Sequence, residues 1–115
     1  MTVKLILLKS GEDIIADVTE MVVGEEEERR VVGYFLGKPY RVQIKDPFVS
    51  PDQEGPQKTG LEVSLLPWMP LAKETTIPMT ADWLITMVEP IDKLKTMYLE
   101  DVVNYGQDNQ SSGTD

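Results

Sequence analysis

Neither cysteine nor histidine occurs among the 115 residues. Without cysteine there are no disulfides, no zinc–thiolate centres and no thiol nucleophiles. Without histidine the chain lacks the usual proton-transfer group near neutral pH and the commonest metal ligand. Together the two absences exclude Ser-His-Asp and Cys-His catalysis. Carboxylate pairs such as Glu12 and Asp13 sit on a turn signal with no sign of burial to prime them for acid–base work. The expectation is a non-enzyme with no catalytic residues, no metal and no cofactor. Long apolar runs are missing too. Leu5-Ile6-Leu7-Leu8 is too short for a signal segment or a membrane span, so no membrane partner is expected. Bases are the minority: 11 against 20 acids, a net charge of −9. Such a field repels phosphate backbones at long range, although a local basic strip can still act within an acidic whole.

What is present is globular. Hydrophobic residues make up 41% and charged residues 27%. A chain of this length suits one domain and buries about two thirds of the surface its unfolded form exposes. Val3–Leu8 predicts a strand rich in branched apolar residues. Lys9-Ser10-Gly11-Glu12 predicts a tight turn, and Ile14–Val23 an antiparallel second strand. Gly24–Arg30 (GEEEERR) predicts the charged tip of a long hairpin that returns along Val31–Leu36. Gly37-Lys38-Pro39 predicts a turn before Tyr40–Ile44, where Tyr40, Val42 and Ile44 alternate with Arg41, Gln43 and Lys45.

Asp46–Gly60, with three prolines and two glycines, predicts a long loop that is either mobile or functional. Leu61–Leu66, Thr75–Met79 and Leu84–Val88 predict the remaining strands. Pro67 and Pro70 bracket Trp68-Met69 and put them at an edge or a bend. From Pro90 the period changes. Ile91, Leu94, Tyr98, Val102 and Tyr105 mark one face of an amphipathic helix with Gly106 as its stop. The polar end predicts disorder. The plan is a β domain over 1–89 with a loop at 46–60, a helix over 90–105 and a tail over 106–115.

The first strand is apolar on both faces: Val3, Leu5 and Leu7 on one, Ile6 and Leu8 on the other. The third strand repeats this, with Val31 and Phe35 against Val32, Tyr34 and Leu36. One small sheet with one helix does not readily cover two faces. Either the sheet curls upon itself as a partial barrel, or another subunit covers it.

Leu8-Lys9-x-Gly11, followed five residues later by Ala16 and then Val18, resembles the first Sm motif. There an apolar strand ends in L-K-x-G, and a small residue at that spacing lets the next strand bend sharply. Trp83–Val88 resembles the closing Sm strand. KSGEDIIADV, LLPWMPLAKE and MVEPIDKLKTMY are similar to segments of small Sm-like proteins of T4-type marine cyanophages. The resemblance implies a mainly β fold: a strongly bent, five-stranded antiparallel Sm-like sheet (an SH3-type partial barrel) with an added C-terminal helix. It implies a homo-oligomeric ring of five to seven subunits, single-stranded RNA or another protein as partner, and the cytoplasm of an infected host cell if the chain is phage-encoded. The family's RNA-contacting Asp and Asn fall on Val22 and Glu26, and its Arg-Gly before the last strand is replaced by MTADW. No RNA-site residue carries over from the family.

The functional expectation is a ring-forming binding scaffold associated with RNA. The alternative is a ring of phage origin that gathers proteins and does not bind nucleic acid. The candidate nucleic-acid residues are Arg29, Arg30, Lys38, Tyr40 and Arg41, bases interleaved with an aromatic ring that can stack on a base. The blander reading pairs Arg29 and Arg30 with the neighbouring glutamates and leaves the others solvated. The candidate oligomer-interface residues are Leu5, Leu7, Trp68, Met69 and Trp83, because tryptophan is enriched at contact centres. Core packing is the competing reading for Trp68, Met69 and Trp83.

Overall fold

A computed structural model describes residues 1–45 and 62–104. The expected loop at 46–60, the expected tail at 106–115 and Tyr105 of the helix stripe lie outside the described residues. The fold is mainly β. Its strands are β1 (Val3–Leu8), β2 (Asp13–Val23), β3 (Arg30–Lys45), β4 (Glu62–Pro67), β5 (Thr76–Thr80) and β6 (Leu84–Val88). A short helix, α1 (Asp92–Tyr98), runs into a π-helical turn at Leu99–Asn104. All pairings are antiparallel, in the order β4-β3-β2-β1-β6, with β5 also on β3. The sheet has six strands where five were expected, and it is not closed, since β6 pairs with β1 alone.

The extra strand and the long β3 have one cause. Gly37-Lys38-Pro39 does not turn the chain back; it is a bulge inside one continuous strand of 16 residues. The register shows the insertion: Ile15 faces Tyr40 while Asp17 faces Gly37, so two steps on β2 meet three on β3. Lys38 absorbs the extra residue with a φ of +47°, left-handed for a residue that is not glycine. An extra residue reverses the alternation of a strand. Before the bulge, Tyr34 and Leu36 pack with Ile6, Leu8, Ile14, Ala16 and Val18; after it, Tyr40 and Val42 pack on the opposite face with Ile15. β3 thereby serves two cores.

Those two cores answer the puzzle of the two-faced strands. One cluster joins Ile6, Leu8, Ile14, Ala16, Val18, Leu36 and Met79, with Leu84 and Met87 against it. Five strands of one sheet contribute, and no helix does. Most of these side chains are fully buried, which requires the sheet to curl around them. Ala16, with the smallest side chain of the set, lies on β2 opposite the bulge. The second cluster lies on the other face of β1 and β2. There Leu94, Tyr98, Val102 and Val103 cover Val3 and Ile15. A helix of seven residues is not stable alone. It is held by burial, at about 1.5–3 kcal/mol for each large apolar side chain removed from water.

The helix stripe differs from its expected phase at both ends. Ile91 precedes the helix and is 66% exposed. The π-helical turn brings Val103 as well as Val102 onto the buried face. β5 is seated by a small residue on β3. A Cβ on Gly33 would overlap the Met79 carbonyl, so only glycine lets the two backbones approach.

Candidate functional site

The bulge releases backbone groups that must find new partners. The Tyr98 hydroxyl lies 3.0 Å from the Gly37 carbonyl oxygen and 2.8 Å from that of Lys38, and donates to this pair. Burial pushes the Tyr98 phenol well above its ordinary ionisation range, opposed by a hydrogen bond with the Asp17 backbone and reinforced by the Asp17 and Tyr40 charges. It therefore stays a neutral donor. The Lys38 amide donates to the Thr75 carbonyl (2.7 Å), and the Trp68 amide to that of Pro39 (3.1 Å). β4 and β5 thus flank the bulge on one edge of β3, and residues 68–75 leave the sheet between them.

Where that loop leaves, a cleft of about 430 Å³ opens. Its apolar walls include Tyr40, Pro67, Met69, Ile77 and Val102, the last from the π-helical turn. Lys38, Glu74 and Asp101 supply its charges, two acids to one base. A pocket of this size, apolar with a few charged groups, has the form of a binding site. Among the described residues no three His, Cys, Asp or Glu side chains are grouped to hold a metal ion.

The expected nucleic-acid residues are split. Arg29 and Arg30 lie exposed at the tip of the β2–β3 hairpin, beside a 3-10 turn at Glu26–Glu28. Lys38, Tyr40 and Arg41 lie at the bulge. At about 3.3 Å per residue the two groups stand about 26 Å apart along β3. Tyr40 and Arg41 also face opposite ways, because Tyr40 pairs with Ile15 of one core and Arg41 with Ile14 of the other. Lys38 and Tyr40 do meet, in the cleft, and Met69 of the expected interface set joins them there.

The other interface candidates scatter. Leu5 is half-buried against the helix-side core, Leu7 is half-buried on β1, and Trp68 is half-buried against the other core. Trp83 is 47% exposed, on a 3-10 turn at Ala81–Trp83 that leads into β6. Sequence reasoning missed Ile85 and Val88, which are exposed on the edge strand β6. The signal was available: an apolar strand with few polar alternates, placed last in the sheet. It also missed the ion pair of Lys4 and Glu89 (2.5 Å), which ties β1 to the end of β6. That contact holds the Glu89 carboxyl below its usual range. No helix among the described residues is long and apolar enough to cross a membrane. No protein-family model matches the chain, and no curated protein matches it.

Proposed function

We propose that this protein is a non-enzymatic, Sm-like binding scaffold that assembles with copies of itself into a ring. One observation carries the reading: the sheet is curled but open, and among the described residues its last strand offers an unpaired edge, with Ile85 and Val88 exposed on it and Trp83 exposed on the turn that leads in. A bare apolar edge strand is a pairing template, and proteins otherwise blunt such edges with charge or cover. The other border, formed by β4 and β5 on β3, is also free among the described residues. Joining one border to the other in the next copy is a heterologous contact, which closes into a ring when the rotation is right. The L-K-x-G and Ala16 pattern supports the same assembly. The test is light scattering on the purified chain, where a mass of five to seven copies of the 13.0 kDa chain is expected, or twice that if two rings pair. A single-chain mass at every concentration overturns the proposal.

The resemblance implies single-stranded RNA as the ring's partner; Lys38 and Tyr40, chosen by residue type and not carried over from the family, are the candidates at the bulge. The second reading, a ring that gathers proteins, is favoured by the net charge of −9 and the separation of the arginines from Lys38. Titration of labelled oligo-U at two salt concentrations separates them, because phosphate contacts weaken steeply with salt.

A further inference from the structure

The loop between β4 and β5 is the most apolar exposed segment in the described chain. From Leu65 to Ala72 (LLPWMPLA) there is no charged side chain and no hydroxyl or amide side chain. Leu66, Pro67, Met69, Pro70 and Leu71 face water, and Leu71 is 98% exposed. One exposed leucine carries no information, but five exposed apolar residues within the six positions from Leu66 to Leu71 make a patch, and patches mark contacts.

The patch borders the cleft at the β3 bulge, since Met69, Pro70 and Ala72 line it while Leu71 points away into solvent. A projecting side chain and a socket therefore lie side by side on one loop. The charges follow the same order. Exposed Lys73 flanks the projecting Leu71, and Glu74 and Asp101 flank the socket.

We propose that this loop forms a two-fold contact between two copies of the chain, with Leu71 of each copy entering the cleft of the other. In a two-fold contact every interaction occurs twice, so a surface is self-complementary when it holds both halves of the fit. The loop and the cleft beside it hold both: Leu71 and the apolar cleft, Lys73 and the pair of Glu74 on the loop and Asp101 on the π-helical turn. A second copy satisfies all of them at once. A nucleic acid leaves Leu71 and the rest of the apolar patch uncovered, and meets two acids for one base in the cleft. The contact is made by side chains of the loop and the cleft, beside Pro67 of β4 and Ile77 of β5, and uses none of the strand-edge backbone groups assigned to ring closure, so it doubles whatever assembly the edges build.

Sedimentation of Leu71→Asp against the unaltered chain tests the proposal. Leu71 is solvent-exposed, so the variant folds. The expected result is a two-fold fall in particle mass: half a double ring if the edges close a ring, one chain if they do not. The proposal therefore stands or falls independently of the ring. An unchanged mass overturns it. Single cysteines give a second readout in a chain that has none of its own. Leu71→Cys chains mixed with Thr75→Cys chains should form the mixed disulfide under mild oxidation, Thr75 being a cleft residue. Absence of that species, with both chains folded, also counts against the contact.

Discussion

Tyr98 donates to the Gly37 and Lys38 carbonyls at the bulge, and it does so from a fully buried ring. Tyr98→Phe keeps the ring and removes the donor, leaving two carbonyls without it. A loss of about 1–2 kcal/mol is expected from urea midpoints. The same residue sets a pH dependence. Burial raises its folded ionisation above the ordinary value near 10. Below that pH both states hold the proton and the residue gives no slope. Above it the unfolded chain has released the proton while the folded chain keeps it, so stability falls as pH rises. Alkaline melts of Tyr98→Phe should show a smaller decline above pH about 10 than the unaltered chain. Gly33→Ala tests the seating of β5. The new methyl meets the Met79 carbonyl, and β5 must lift or shift. A loss of about 1–3 kcal/mol is expected, against nearly none for a substitution on an open surface.

At the scale of elements, α1 covers a face of the sheet that would otherwise be wet. Leu94→Ala removes buried side-chain volume between Val3, Ile15 and the helix. It should cost about 2–4 kcal/mol by chemical denaturation. β6 behaves differently. Ile85 is 57% exposed, so Ile85→Asp should leave the folding midpoint within about 0.5 kcal/mol while dispersing the assembly seen by light scattering.

The elements also show what the sequence made legible. β1 and β2 were readable because their branched residues and the Gly-containing turn agree with each other. β3 was not readable as one strand. Gly37-Lys38-Pro39 carries every local mark of a turn, and only long-range partners, Tyr98 and Thr75, hold it extended. Two apolar faces on β1 were visible, but not how each is covered. The answer depends on a phase reversal within β3, which residue spacing alone conceals. The cleft was out of reach for the same reason. Lys38, Met69 and Val102 are far apart in sequence and meet only because the bulge parts β4 from β5.

The whole molecule carries its acidity unevenly. Glu25 to Glu28 crowd the hairpin tip with Arg29 and Arg30, while Lys38 and Arg41 stay near the centre of the sheet. If RNA is the partner, binding should be weak and steeply salt-dependent, and Lys38→Ala should reduce it more than Arg29→Ala, as fluorescence anisotropy with oligo-U would show. Equal effects would place the contact at the tip instead.

The pairing of β1 with β6 joins Leu5 to Val88 across nearly the whole described chain. On a ribosome that supplies about 5–20 residues per second, the first strand waits about 4–17 s for its outer neighbour. Through that interval β1 can pair with β2, but its far side stays bare and its apolar face only half enclosed. Crowded polysomes translating the same message therefore set several such nascent edges close together. The window for mispairing closes only when the last strand clears the exit tunnel.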